Sequence, residues 1–121
     1  MKALRILVVE DDANVAMVLA ELLETQGHRV CAIVATEADA VAAALQFTPE
    51  IMIVDVKLRE GSGLDAVDRI QGRRLVAHVF VCGDALRIRT LRPHATVIQK
   101  PYFERDLTLA IQRALDGAAA A

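Results

Sequence analysis

The stretch IMIVDVKLREGSGL, residues 51–64, decides the fold that we predict for this chain. It opens with four aliphatic residues, reaches a carboxylate at Asp55 and continues into a loop with glycines at positions 61 and 63. A short apolar run that is bounded by turn residues is consistent with a buried strand, and helical spacing predicts a helix over residues 64–71. Similar units of a strand followed by a helix are expected on both sides of this stretch.

Working outward, the apolar runs predict five strands, at residues 3–9, 29–34, 51–54, 78–82 and 95–99. The predicted helices cover residues 13–26, a segment capped by Thr36 that ends before Pro49, then 64–71, 85–91 and 103–115. The fourth helix is expected to be short or irregular because Pro93 follows it, and residues 117–121 are expected to fray. Five strands alternating with helices predict an α/β fold with a doubly wound, five-stranded parallel sheet in (βα)5 order.

Length and composition limit the function. The 121 residues suit one domain, 1–121, and the 14 basic and 16 acidic residues give a net charge of −2, which argues against nucleic-acid binding. No apolar run is long enough to cross a bilayer, and the N-terminus does not resemble a signal peptide, so we expect a cytoplasmic protein without a membrane contact. Cys31 and Cys82 lie in apolar runs and are expected to be buried free thiols.

Polar residues stand at the carboxyl ends of four predicted strands. They are Glu10, Asp11, Asp12, Asp55, Cys82, Gly83, Asp84 and Lys100. In parallel sheets of this type, ligands bind beyond the carboxyl ends of the strands, so these residues are expected to meet in one pocket. Each group also has an ordinary structural interpretation: Asp11 or Asp12 as a helix N-cap, Asp55 as a turn residue and Lys100 as a corner between a strand and a helix.

Taken together, these groups suit one kind of chemistry. Mg²⁺ typically takes one or two carboxylates together with waters and a phosphate oxygen. A carboxylate can attack phosphorus and form an acyl phosphate, and a metal ion with an ammonium group neutralises the charge of the transferred group. The residues therefore predict a phosphoryl-transfer site that uses Mg²⁺.

Three motifs in this order and spacing resemble the receiver domain of bacterial two-component response regulators. They are ILVVEDD at residues 6–12, IMIVDVKLREGSGL at 51–64 and VIQKPY at 97–102. The resemblance covers essentially the whole chain and implies a flavodoxin-like fold. It also implies that Asp55 accepts a phosphoryl group from the phosphohistidine of a sensor histidine kinase or a histidine phosphotransfer protein.

The resemblance further implies a set of residues around the phosphoryl group. Asp12 is the expected direct ligand of Mg²⁺ and Asp11 the ligand of a metal-bound water, although the two roles could be interchanged. Asp55 and the backbone carbonyl of Lys57 complete the protein ligands, with Glu10 as a neighbouring acid. Lys100 is expected to contact the phosphoryl group, and the Lys100–Pro101 peptide bond is a candidate for the cis form.

Two positions and the length of one segment depart from the family pattern. Cys82, before Gly83, stands where receivers usually carry a Thr or Ser that bonds the phosphoryl group. A thiol is a weaker donor, so Cys82 is either a poor switch residue or a strand residue without that role. Val97 stands where a mobile Tyr or Phe is common, and Tyr102 is a weak replacement for it. Only 17 residues separate Cys82 from Lys100, and the short segment resembles that of a group of stand-alone alphaproteobacterial receivers.

Lys57 and Asp84 flank the acceptor and could form a pair that shields the phosphoryl group from water. The expected function is a stand-alone phosphoacceptor module, not a turnover enzyme, that signals through protein contacts or phosphorelay as a monomer or weak homodimer. A phosphorylation-independent interaction domain is the alternative, favoured by Cys82 and Val97. An aspartyl-phosphate phosphatase is disfavoured because Lys57 holds the place where such an enzyme needs a second Asp.

Overall fold

A computed structural model describes residues 2–120 of the chain, which form five strands and five helices. The strands are β1 (Arg5–Val9), β2 (Arg29–Val34), β3 (Ile51–Asp55), β4 (Ala77–Cys82) and β5 (Val97–Gln99). The helices are α1 (Ala13–Thr25), α2 (Glu37–Phe47), α3 (Gly63–Gln71), α4 (Ala85–Leu91) and α5 (Glu104–Ala120). Strands and helices alternate as predicted.

All five strands are parallel and lie in the order β2-β1-β3-β4-β5, so the flavodoxin-like doubly wound fold is confirmed. The strand order reverses between β1 and β3, where the chain returns to the other side of β1. Val9 of β1 is paired with Val54 of β3. The residues that follow this pair, Glu10 and Asp55, therefore lie side by side. They stand at the edge where such sheets bind ligands.

Alternating side chains divide the core between the two faces of the sheet. Strand residues such as Leu7, Val9 and Met52 pack beneath α2, α3 and α4. Their neighbours, such as Ile6 and Val8, pack beneath α1 and α5. Because both faces of a parallel sheet are covered, its strands read as continuous apolar runs, which is why the sequence revealed them.

Several predicted boundaries were shifted, and β1 begins at Arg5, two residues later than predicted. β5 begins at Val97, two residues later than predicted, because the Ala95 backbone N–H bonds to the Arg92 carbonyl in a turn. Residues 117–120, expected to fray, instead continue α5, since alanine has the highest helix propensity; residue 121 lies outside the described residues. The fourth helix is short as predicted, with seven residues. Within residues 2–120, no helix combines the length and apolarity that crossing a membrane requires.

Candidate functional site

The carboxyl ends of β1, β3, β4 and β5 surround one cleft of about 600 Å³. It is lined by the predicted residues Glu10, Asp11, Asp12, Asp55, Lys57, Cys82, Gly83, Asp84 and Lys100. Arg59 and Arg87 also line the cleft and were missed by sequence reasoning. The only signal for Arg59 was its place in the loop after Asp55, which is a weak one. The fold thus brings the predicted strand-end residues together and adds two guanidinium groups to them.

Asp55 lies at the centre of the cleft as the last residue of β3, and only 6% of its surface is exposed. Its Oδ1 accepts a hydrogen bond from the Lys57 backbone N–H at 3.0 Å, and its Oδ2 lies 2.5 Å from the Nζ of Lys100. α3 begins close behind, and a Cβ on Gly63 would overlap the Asp55 carbonyl oxygen. Position 63 therefore requires glycine, and the carboxylate itself is oriented by its contacts with the Lys57 backbone N–H and with Lys100.

Glu10 is the second buried acid of the cleft, with 7% of its surface exposed. Its Oε2 accepts a hydrogen bond from the Asp12 backbone N–H at 3.1 Å, and its Oε1 lies 3.8 Å from the Nζ of Lys100. Burial, reinforced by the neighbouring carboxylate of Asp55, raises the pKa of Glu10 to about 7. Two buried acids thus share one lysine, and this excess of negative charge favours a bound cation.

The three consecutive acids point in different directions. Asp12 is the N-cap of α1, and its Oδ1 accepts hydrogen bonds from the backbone N–H groups of Asn14 and Val15. Asp11 turns toward the β3–α3 loop, where its Oδ2 accepts a hydrogen bond from the Arg59 backbone N–H at 2.7 Å. The helix-cap interpretation is thus correct for Asp12. Glu10, expected only as a neighbouring acid, is the member of the trio that lies against Asp55.

Arg59 also sets the charge state of Asp11. Burial alone would raise the pKa of Asp11, but the Arg59 backbone N–H and guanidinium outweigh burial and hold that pKa below its usual value. The Asp11 carboxylate is therefore ionised at neutral pH. The cleft accordingly offers oxygen ligands on β3 and on the segment after β1.

The donor chemistry fits Mg²⁺, although the carboxylates do not close around a common point. In residues 2–120 no three His, Cys, Asp or Glu side chains are placed so that they could hold a metal ion together. Mg²⁺ does not require such a cage, since it usually takes one or two carboxylates and completes its shell with water and phosphate oxygens. Asp11 and Asp55 both line the cleft and supply carboxylates of that kind.

Lys100 follows β5 and carries its ammonium group into the cleft. Burial alone would lower the pKa of Lys100, but the hydrogen bond to Asp55 and the negative charges of Asp55 and Glu10 raise it. The side chain therefore stays protonated. The Lys100 backbone N–H donates to the Cys82 carbonyl at 2.8 Å, and the Lys100–Pro101 peptide bond is cis.

Cys82 and Val97 form an apolar contact region with α4. Both are buried with Ala85 and Ile88 in the core cluster beneath that helix. The Cys82 sulfur lies 3.9 Å from the Ile98 carbonyl oxygen, and burial raises the pKa of the thiol, which stays protonated. Both cysteines are free, but Cys31 is only half-buried, contrary to the prediction.

Tyr102 lies on the opposite face of the sheet, where it packs against the core cluster beneath α1 and α5. It therefore does not fill the place of an aromatic ring at Val97, which packs beneath α4. Tyr102 instead helps to line a cavity of about 290 Å³ behind the cleft, together with Glu10, Asp55 and Lys100.

Two side-chain contacts connect β5 to α4. The Ala85 backbone N–H, at the first turn of α4, donates to Oε1 of Gln99 at 3.0 Å. The Arg89 guanidinium donates to the Val97 carbonyl at 3.2 Å. Asp84 accepts from the Arg87 backbone N–H as the N-cap of α4, and no ion pair joins it to Lys57 in the described part of the chain. The shielding pair of Lys57 and Asp84 is thus not formed.

Comparison with known proteins identifies the family. Residues 6–112 match the response regulator receiver domain. The chain is 34% identical over 117 residues to the phyllosphere-induced regulator PhyR of Methylorubrum extorquens. The matched region covers 93% of this chain and 44% of that protein. The chain is 30% identical over 115 residues to the transcriptional regulatory protein PdtaR of Mycobacterium tuberculosis, with 92% of this chain and 56% of that protein covered.

A solved structure gives the same result. The crystal structure of the response regulator PhyR from Brucella abortus superposes with a TM-score of 0.88 at 27% identity, over 98% of this chain and 50% of that one. The chain spans about half the length of these curated relatives. By its matched residues, its fold and the residues of its cleft, the chain belongs to the family of response regulator receiver domains.

Proposed function

We propose that the chain accepts a phosphoryl group on Asp55 from the phosphohistidine of a sensor histidine kinase or a histidine phosphotransfer protein. The observation that carries this proposal is the buried Asp55 carboxylate, whose Oδ2 lies 2.5 Å from the Nζ of Lys100 at the switch point of the sheet. A carboxylate oxygen attacks phosphorus while the bond from phosphorus to the donor nitrogen breaks. The ammonium group of Lys100 then moves from the carboxylate to the phosphoryl oxygens.

Receiver domains in general bind Mg²⁺, and we propose that this chain does the same. Asp11, Asp55 and the backbone carbonyl of Lys57 would hold the ion, with Glu10 as a neighbouring acid. Asp11 takes the direct role in this assignment because its carboxylate faces the β3–α3 loop, which carries Lys57, whereas the carboxylate of Asp12 caps α1. When bound, the ion neutralises charge on the phosphoryl oxygens.

The proposal is tested by incubation with a small phosphodonor and Mg²⁺, followed by measurement of the intact mass. We expect the wild type to gain one phosphoryl group and the Asp55→Asn variant to gain none. Asp65→Asn is the matched control, because Asp65 is an exposed acid on α3 away from the cleft. Equal phosphorylation of Asp55→Asn and wild type would disprove the acceptor assignment.

Receiver domains of response regulators are generally not turnover enzymes. We propose that this chain is one receiver domain over residues 1–121 and that it lies in the cytoplasm. It acts through protein contacts or phosphorelay. One solved relative, PhyR of Bartonella quintana, is named an anti-anti-sigma factor, a function that depends on protein contacts. In this proposal the downstream partner is a protein and the chain binds no nucleic acid. The chain acts as a monomer or weak homodimer.

A phosphorylation-independent interaction domain is the second candidate, and the packing of Cys82 favours it. The Cys82 sulfur lies among apolar side chains. Val97 beside it has no aromatic ring that could change position on phosphorylation. The same phosphodonor experiment separates the candidates. Tight Mg²⁺ binding by the wild type without added phosphate would support the second one.

A further inference from the structure

Arg59 contacts Asp11 in three ways. The Arg59 backbone N–H donates to Asp11 Oδ2 at 2.7 Å, and the Nε of its guanidinium lies 3.7 Å from the same oxygen. A terminal nitrogen of the guanidinium also donates to the Asp11 backbone carbonyl at 3.2 Å. The residue therefore holds both the side chain and the main chain of Asp11 from one side.

The pair lies at the mouth of the cleft, where its two partners differ in exposure. The Arg59 side chain is 81% exposed, whereas that of Asp11 is 18% exposed. An ion pair with so exposed a partner is weak. A divalent cation that binds the Asp11 carboxylate can therefore displace the guanidinium at small cost.

We propose that Arg59 competes with Mg²⁺ for the carboxylate of Asp11, so that metal binding releases the Arg59 side chain at the middle of the β3–α3 loop (residues 56–62). This inference rests on the proposed function, because it assigns Asp11 to the metal. In the metal-free chain Arg59 supplies the positive charge that Asp11 needs. When the metal takes Asp11, that charge becomes redundant and repels the ion.

The rest of the loop is held by contacts that do not involve Arg59. Its second half is fixed by Glu37 of α2, whose Oε1 accepts a hydrogen bond from the Ser62 backbone N–H at 3.1 Å. The Glu37 backbone N–H donates to the Glu60 carbonyl at 3.1 Å. A Cβ on Gly61 would overlap the Glu37 side chain, so this half packs closely on α2. Val56 and Lys57 are held independently of Arg59. Val56 makes backbone hydrogen bonds with Val81 and Gly63. Lys57 is held by a bridge to Ser62. Release of the Arg59 side chain therefore leaves the rest of the loop in place.

Titration calorimetry with Mg²⁺ on the full chain tests the competition. We expect Arg59→Ala to lower the dissociation constant for Mg²⁺ by about three- to tenfold, because the variant removes both the ion pair and the repulsion. Arg59→Lys keeps the charge but not the forked guanidinium, and is expected to tighten binding by a smaller factor than Arg59→Ala does.

Arg69→Ala is the matched control, because it removes an arginine from another exposed ion pair, with Glu37 at 3.0 Å, outside the cleft. Its dissociation constant for Mg²⁺ should equal that of the wild type. Amide resonances supply a second readout: the Arg59 amide should shift when Mg²⁺ saturates the wild type, and the Ser62 amide should not.

Two results would overturn the inference while leaving the proposed function intact. One is Mg²⁺ binding by Arg59→Ala that is no tighter than binding by Arg69→Ala. The other is Arg59→Lys binding as the wild type does, which would mean that charge alone acts and that no contact is broken. If neither the wild type nor any variant binds Mg²⁺, the proposed function and the inference both fail.

Discussion

The Nζ of Lys100 lies 2.5 Å from the Oδ2 of Asp55, and this contact joins the end of β5 to the end of β3 across β4. Glu10 lies 3.8 Å from the same ammonium group. One cation therefore balances two buried acids in the absence of phosphate. Four predictions follow from this arrangement and from the packing around it.

Replacing Lys100 by Met should destabilise the chain and stop efficient phosphorylation of Asp55. The loss leaves Glu10 and Asp55 buried without a cation, which should cost about 1–2 kcal/mol, a modest value because the Lys100 side chain is 40% exposed. Urea unfolding at pH 7.5 measures the cost. Lys57→Met is the control, because Lys57 is exposed. Equal stability of Lys100→Met and Lys57→Met would contradict this account.

Glu10 should make stability depend on pH. Its pKa of about 7 in the folded chain lies above the value of 4.5 for a free side chain, so the folded state binds a proton that the unfolded state has lost. The stabilisation is fully present below pH 4.5 and is lost as the pH rises through 7. Relative to Glu10→Gln, the wild type should lose about 1–3 kcal/mol between pH 4.5 and pH 8. Urea unfolding of both proteins measures this difference, and parallel curves would refute it.

Val97→Phe should destabilise the chain by about 1–3 kcal/mol, because the space between β5 and α4 is already filled. Val97 is buried with Cys82 of β4 and with Ala85 and Ile88 of α4, so a larger ring must push against that helix. Thermal unfolding gives the measurement, with Leu109→Phe on the exposed side of α5 as the control. An unchanged melting temperature for Val97→Phe would show that the region tolerates a ring.

Gln99→Leu should loosen the start of α4 without blocking phosphorylation of Asp55. The substitution removes the acceptor for the Ala85 backbone N–H, a loss of about 0.5–1.5 kcal/mol. Hydrogen exchange at the Ala85 amide should speed up, whereas Gln112→Leu on exposed α5 should leave it unchanged. Slow exchange of Ala85 in Gln99→Leu would mean that another group holds the helix start.

The sequence predicted the convergence of the site because parallel strands bring their carboxyl ends to one edge, whatever the side chains do there. It did not predict which of the three consecutive acids faces Asp55. That choice depends on the backbone turn after β1, and Asp12 lines the cleft with its carboxylate engaged in capping α1. The contacts of Arg59 and Gln99 were also unpredictable, since each joins segments that are distant along the chain and carries no local pattern.

The same limit applies to the end of the chain. Residues 117–120 have a composition that suits both a helix and a loose tail, and their place after an amphipathic helix favoured the helix. In contrast, the short α4 was predictable. Pro93 and the small number of residues before Lys100 limit the length of any helix between β4 and β5.

Tyr102 gives the chain an optical probe of its own cleft. It is the single tyrosine of the sequence, which has no tryptophan and three weakly emitting phenylalanines, so all of the tyrosine fluorescence comes from one phenol ring. That ring borders the cavity shared with Glu10, Asp55 and Lys100. We therefore expect a change of charge at Asp55 to alter this native emission, without a dye or an introduced label.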